Sequence, residues 1–197
     1  GETPLIADIA KQALADRVPI IRQETASLLK VLLKMTKPKK ILEVGTAVGF
    51  SALLMSEYAP QASITTIEKF EQRIIQAKEN FAKAGKQSVI TLLEGDAAQI
   101  LKTLDSEYDF IFMDAAKGQY IHFLPEVMRL LMSGGTLVSD NALQDGDVVE
   151  SRFAVTRRNR TIHSRMREYL WELKHRPDLE TVVLPIGDGV TVSTKTI

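Results

Sequence analysis

The stretch Ile41-Leu42-Glu43-Val44-Gly45-Thr46-Ala47-Val48-Gly49 decides the fold. A run that is apolar except for Glu43 ends in a glycine, and a second glycine leads into residues 51–58, which read as a helix. A short apolar run bounded by turn residues is the pattern of a buried strand. Glycines behind such a strand let the backbone turn sharply and let a ligand approach closely. The same alternation continues downstream. Residues 63–68, 89–93, 110–113 and 136–138 read as strands, the last after a Gly134-Gly135 turn. Helical periodicity covers 71–84, 97–104 and a stretch marked by Tyr120, Phe123, Leu124, Val127 and Leu131. Upstream lie two helical stretches, the second over 23–35 with Ala26, Leu29 and Leu33 on one face, broken by Lys37-Pro38-Lys39-Lys40. Alternating strands and helices predict right-handed crossovers and a parallel sheet covered on both faces. The ending differs. Residues 161–175 read as a helix, and strands over 181–186 and 190–194 are joined by Gly187-Asp188-Gly189 as a tight hairpin. The expectation is a doubly wound α/β sheet, mostly parallel and closed by a C-terminal antiparallel hairpin. It spans one domain over 1–197, with 1–38 as an N-terminal helical segment and 39–197 as the sheet and its flanking helices.

Composition narrows the classes. Of 197 residues, 45% are hydrophobic and 25% charged, which excludes a disordered or fibrous chain. Cysteine is absent, so disulfides, thiolate zinc sites and cysteine nucleophiles are excluded. No apolar run approaches the ~20 residues that span a bilayer, so no membrane association is expected. The opening residues carry no signal-peptide pattern, and the expected location is cytoplasmic. The 25 basic and 25 acidic residues cancel. They are segregated, however: residues 151–176 hold Arg152, Arg157, Arg158, Arg160, Arg165, Arg167, Lys174 and Arg176 against Glu168 and Glu172, a net of +6.

In an open α/β sheet, ligands bind beyond the carboxyl ends of the strands. Glu43 there would repel a pyrophosphate but could interact with a cationic ligand. Glu68 ends the second strand, where a carboxylate can accept ribose hydroxyls. Asp114 directly follows the strand 110–113, and Asp140-Asn141 directly follow 136–139. Two carboxylates and an amide oxygen suit a hard cation such as Mg²⁺; the plainer alternative is that Asp140 and Asn141 cap a helix. Lys117 stands three residues past Asp114, where the plainer reading is a lysine on a surface turn. Tyr120 reads as core packing.

Glu43-x-Gly45, Glu68 and Gly95-Asp96-Ala97 resemble the cofactor motifs of class I S-adenosylmethionine-dependent methyltransferases. The resemblance covers nearly the whole chain and implies that family's seven-stranded, Rossmann-like sheet. It implies cofactor contacts from Val18, Glu43, Gly45, Thr46, Gly49, Ser51, Glu68, Asp96, Ala97 and Asp114. The string Asp114-Ala115-Ala116-Lys117-Gly118-Gln119-Tyr120, together with Asp140-Asn141, resembles the cation-dependent O-methyltransferases of the catechol and caffeoyl-CoA branch. That resemblance implies Asp114, Asp140 and Asn141 as ligands of Mg²⁺ or another divalent cation, Lys117 as general base, and a homodimer.

Two acceptor classes follow. One is a small catechol-like phenol. The other is a hydroxylated base in RNA, because Arg157, Arg158, Arg160 and Arg165 form an electrostatic footprint suited to phosphates; a solvated helix face is the plainer reading of the same charges. Val18-Pro19-Ile20-Ile21 with Glu24, the segment Arg157-Arg158-Asn159-Arg160-Thr161-Ile162, and Leu184-Pro185-Ile186-Gly187-Asp188-Gly189 resemble bacterial tRNA 5-hydroxyuridine methyltransferases. This resemblance implies wobble-position 5-hydroxyuridine of tRNA as the acceptor. A non-enzymatic binding module on the same fold is the remote alternative.

Overall fold

The computed structural model describes residues 3–143, 146, 148, 150 and 155–196. Its centre is β1 (Lys40–Val44), whose last four residues are wholly buried. Hydrogen-bonded to it on either side are the parallel strands β2 (Ser63–Glu68) and β4 (Tyr108–Met113). Beyond β2 lies β3 (Ile90–Glu94), and beyond β4 lies β5 (Leu131–Ser139). The hairpin β6 (Leu179–Leu184) and β7 (Val190–Lys195) completes the sheet, with β7 antiparallel to β5. The order β3-β2-β1-β4-β5-β7-β6 gives the mostly parallel seven-stranded sheet with an antiparallel C-terminal hairpin that the sequence led us to expect.

Side chains alternate across this sheet, so successive residues feed opposite cores. Ile41, Phe110, Phe112 and Val138 join one core with α1 (Pro4–Ala15), α2 (Gln23–Thr36), α3 (Phe50–Tyr58) and α4 (Glu71–Lys83). Leu42, Ile111, Met113 and Leu137 join the other with α5 (Ala97–Thr103), α6 (Tyr120–Leu130) and α7 (Arg160–His175). α3 is buried from Phe50 through Ser56, because α1 and α2 cover the side that turns away from the sheet. Among the described residues, no helix is long and apolar enough to cross a membrane.

Two turns differ from the sequence reading. The Gly134-Gly135 turn lies inside β5 as a bulge: Tyr108 faces Leu131 but Phe110 faces Thr136, and Gly134 has φ +76°. The C-terminal hairpin is not tight. β6 ends at Leu184, two residues early, and residues 185–189 form the loop. Pro185 has no N–H with which to extend the ladder.

β1 carries one misfit. Glu43 is fully buried on the face toward α3, where the Ser51 hydroxyl donates to Oε1 and the Thr66 hydroxyl donates to Oε2 at 2.5 Å. Burial pushes its carboxyl up to about 8, although both hydroxyls pull the other way. The unfolded chain ionises this group near pH 4.5. Below that value both states hold the proton. Between pH 4.5 and 8 only the unfolded state releases it, so stability falls as pH rises, by at most about 1.4 kcal/mol per pH unit. Urea unfolding at pH 5, 6.5 and 8 should therefore show a steeper loss of stability for the wild-type chain than for Glu43→Gln. Equal slopes would mean that Glu43 is ionised in the folded chain.

Candidate active site

A cleft of about 720 Å³ opens at the carboxyl ends of β1, β2, β4 and β5. Its floor is a close crossing of backbone. Gly45 has φ +106°, and a Cβ there would lie 2.2 Å from the Asp114 carbonyl oxygen. Only glycine fits. Gly45 N–H and Thr46 N–H both donate to Ile67 O at 3.1 Å, which ties the loop to β2.

Of the residues expected to hold a cofactor, Gly45, Glu68, Asp96, Ala97 and Asp114 line the cleft. Glu68 is nearly buried. It accepts from Ala47 N–H through Oε2, and from Lys69 and Phe70 N–H through Oε1, all at 2.9–3.0 Å. Three backbone donors thus fix its orientation and leave Oε2 the less occupied oxygen. Asp96 caps α5 by accepting from Ala98 N–H at 2.8 Å.

The other expected cofactor residues do not reach the lining. Glu43 is turned into the hydroxyl network beneath the glycine loop, where Thr66 also meets Thr46 at 2.5 Å. Ser51 belongs to that network through its bond to Glu43. Gly49 caps α3 and faces the Phe81 ring. Val18 packs against the core, and its neighbours Pro19 and Ile20 face the cleft instead.

The opposite rim is acidic. Asp114 follows β4, and Asp140 and Asn141 follow β5. Asn141 has a left-handed backbone, φ +58°, and its Nδ2 donates to Asp114 Oδ1 at 3.3 Å. Burial raises the Asp114 carboxyl to about 7. Asp140 adds to the rise, while Lys117 and the Asn141 amide oppose it. Burial likewise raises Asp140, against hydrogen bonds from the Asn141 backbone and Thr25 and the charges of Lys117 and Arg22. Lys117 opens a 3-10 turn (Lys117–Gln119) on the cleft wall, where both aspartates feel its charge. Two carboxylates that burial holds toward neutrality, Asp114 further so by the charge of Asp140, fit a cation between them. All-oxygen donors, with the Asn141 amide as the third, fit a hard divalent one. Among the described residues, no group of three His, Cys, Asp or Glu offers another centre.

Tyr120 packs in the core, edge-on to Tyr169 at 5.4 Å. Its hydroxyl does more than pack: it lies 3.1 Å from Met113 O and 3.2 Å from Asp140 O and so joins the ends of β4 and β5. The sequence reading passed over Thr25, whose hydroxyl reaches Asp140 across 115 residues. It also passed over Arg22, which pairs with Asp188. No local pattern announces either contact.

The expected RNA-binding arginines lie outside the cleft lining. Arg157 and Arg158 are exposed. Arg160 Nε donates to Val155 O at 3.3 Å. Arg165 Nη1 donates to Gly118 O at 3.1 Å and thereby braces the Lys117 turn against α7. Residues 151 and 152, which open the basic segment, and the neighbouring Asp145 and Asp147 fall outside the described residues.

Known proteins resemble this chain in sequence and fold. The family model described as O-methyltransferase matches residues 3–196. The Tapetum-specific methyltransferase 1 of Arabidopsis thaliana is 29% identical, over 86% of this chain and 75% of its own length. The caffeoyl-CoA O-methyltransferase 2 of Populus trichocarpa is also 29% identical, over 86% of this chain and 72% of its own. Among solved structures, the SAH-bound methyltransferase PaMTH1 of Podospora anserina superposes with a TM-score of 0.90. It is 26% identical, over 100% of this chain and 90% of that one. Fold, cleft and near full-length match agree, and the chain belongs to the O-methyltransferase family.

Proposed function

We propose that this chain transfers a methyl group from S-adenosylmethionine, with a divalent cation, to an acceptor that presents two adjacent oxygens. The observation that carries this reading is the rim on which Asp114, Asp140, Asn141 and Lys117 face Gly45 and Glu68 across one cleft. The reading treats residues 1–197 as one catalytic domain. PaMTH1 was solved with SAH, the product that S-adenosylmethionine leaves after methyl transfer, and this supports the cofactor.

Glu68 accepts ribose hydroxyls, and Asp96 and Ala97 border the base. The Gly45 loop admits the methionine end close to the strand. Asp114, Asp140 and Asn141 hold the cation, which lowers the pKa of an acceptor hydroxyl when bound. Lys117 takes the hydroxyl proton at Nζ when its amine is neutral. The fixed strand ends set the approach, and positioning of this kind supplies much of a transfer reaction's rate.

The acceptor we favour is a 5-hydroxyuridine at the wobble position of tRNA, because Arg157 and Arg158 stand exposed just ahead of the helix that braces the Lys117 turn. The 5-hydroxyl and 4-carbonyl oxygens of that base are adjacent, as in a catechol. The Populus relative is named for caffeoyl-CoA, and this favours a small phenol as the second reading.

Three outcomes test these assignments. Glu68→Ala should weaken S-adenosylmethionine binding about 10- to 150-fold in calorimetry, the loss of a charge-assisted hydrogen bond; an unchanged dissociation constant removes the ribose role. EDTA should abolish turnover and Mg²⁺ restore it, while Asp140→Ala loses most activity and stays folded. Full activity in EDTA reduces these side chains to caps. Changing Arg157, Arg158 and Arg160 together to Ala should weaken tRNA binding and flatten its salt dependence by about 0.7 in log–log slope per lost phosphate contact. Methylation of a small catechol should scarcely change. Intact tRNA binding, with catechol the better substrate by kcat/KM, assigns the enzyme to small phenols.

A further inference from the structure

Asp140 is held from the far end of the chain. Thr25 stands in the first turn of α2, fully buried, and its Oγ1 donates to Asp140 Oδ1 at 3.1 Å. A threonine hydroxyl has one proton to give, and here it goes to the carboxylate. The environment permits little alternative. Thr25 Oγ1 lies 3.1 Å from the place a Cβ on Gly187 would occupy, so the hairpin loop closes directly over it. Arg22, one turn earlier, pairs with Asp188 of the same loop. The loop then grips the segment after Asp140: Ala142 N–H donates to Gly189 O at 2.7 Å, and Leu143 N–H donates to Asp188 O at 3.0 Å. From the other side, the Tyr120 hydroxyl meets the Asp140 carbonyl. The Asp140 main chain is therefore fixed by the hairpin and Tyr120. Its side chain takes its direction from Thr25 and the Asn141 backbone.

We propose that Thr25 is a positioning residue for the cation centre: its hydroxyl sets the rotamer of the Asp140 carboxylate and so determines how that carboxylate is presented to the cation. The inference rests on the cation reading above and adds to it a residue from the N-terminal helical segment. Outer hydrogen-bond partners of metal-binding groups commonly change metal affinity 10- to 100-fold when removed. A shift at the lower end is expected here, since Asp114 and Asn141 remain in place.

The test uses Mn²⁺ as the probe, titrated into the 197-residue chain by calorimetry without acceptor. Thr25→Val keeps the volume and removes the donor; Thr25→Ser keeps the donor and removes a methyl; Thr25→Ala is a second donor-free variant. Val and Ala should each weaken Mn²⁺ binding about 10-fold, while Ser stays within about threefold of wild type. S-adenosylmethionine affinity should be the same in all four proteins. In turnover, the donor-free variants should need about 10-fold more Mg²⁺ for half-maximal rate, with kcat little changed at saturation. Wild-type Mn²⁺ affinity in a folded Val or Ala variant overturns the proposal. So does a Ser variant as weak as Val, which would assign the effect to packing of the methyl group. A wild-type protein that binds no Mn²⁺ overturns the cation reading and this inference together, whereas wild-type binding with no difference among variants overturns the inference alone.

Discussion

The close crossing of Gly45 over the Asp114 carbonyl governs the geometry of this protein. At 2.2 Å from a Cβ that is not there, the end of β1 lies against the end of β4 with no room for a side chain. That contact joins two parts of the cleft into one surface. The glycine loop, which turns toward Glu68, and the acidic rim, which turns toward Lys117, share this backbone as their common floor. β2 is drawn to the same point by the paired N–H groups of Gly45 and Thr46 on Ile67 O. The floor of the cleft is therefore a property of three strand ends.

Burial then sets the electrostatics. Glu43 and Asp114 are both withdrawn from water and both pushed toward the neutral form, but by different surroundings. Glu43 is enclosed by hydroxyl donors and belongs to the scaffold beneath the loop. Asp114 faces a second carboxylate and an ammonium, and lies on the cleft. The same side-chain chemistry thus has a structural role on one side of the Gly45 crossing and, in the function proposed above, a chemical one on the other.

Much of this is legible in the sequence because it is local. Strands β1 and β4 announce themselves as apolar runs, and Asp114, Asp140 and Glu68 are placed by standing directly at strand ends. The boundaries that shift do so where backbone chemistry competes with pattern, at Pro185 and at Gly134. Periodicity gives Tyr120 its place in the core but not the destination of its hydroxyl. It also cannot say which polar residue meets Asp140, because Thr25 sits in an ordinary helical turn and finds its partner only through the tertiary fold. Glu43 shows the opposite limit. Its motif position suggested contact with a ligand, yet two hydroxyls, one of them 23 residues away, turn it inward.

The bond between Thr25 and Asp140 closes a loop of 115 residues. Closing a flexible chain of that length costs roughly 4 kcal/mol in entropy, and one hydrogen bond contributes only about 1 kcal/mol. The bond cannot assemble its own ends. They are brought together by Ala26, Leu29 and Leu33 of α2, which bury themselves against α3 and the sheet. The aim of a carboxylate at the cleft is thus underwritten by greasy side chains of α2 up to two helical turns away, and it is settled only when α2 and the hairpin loop have met over the end of β5. A lesion in the apolar face of α2 would therefore loosen the site along with the fold.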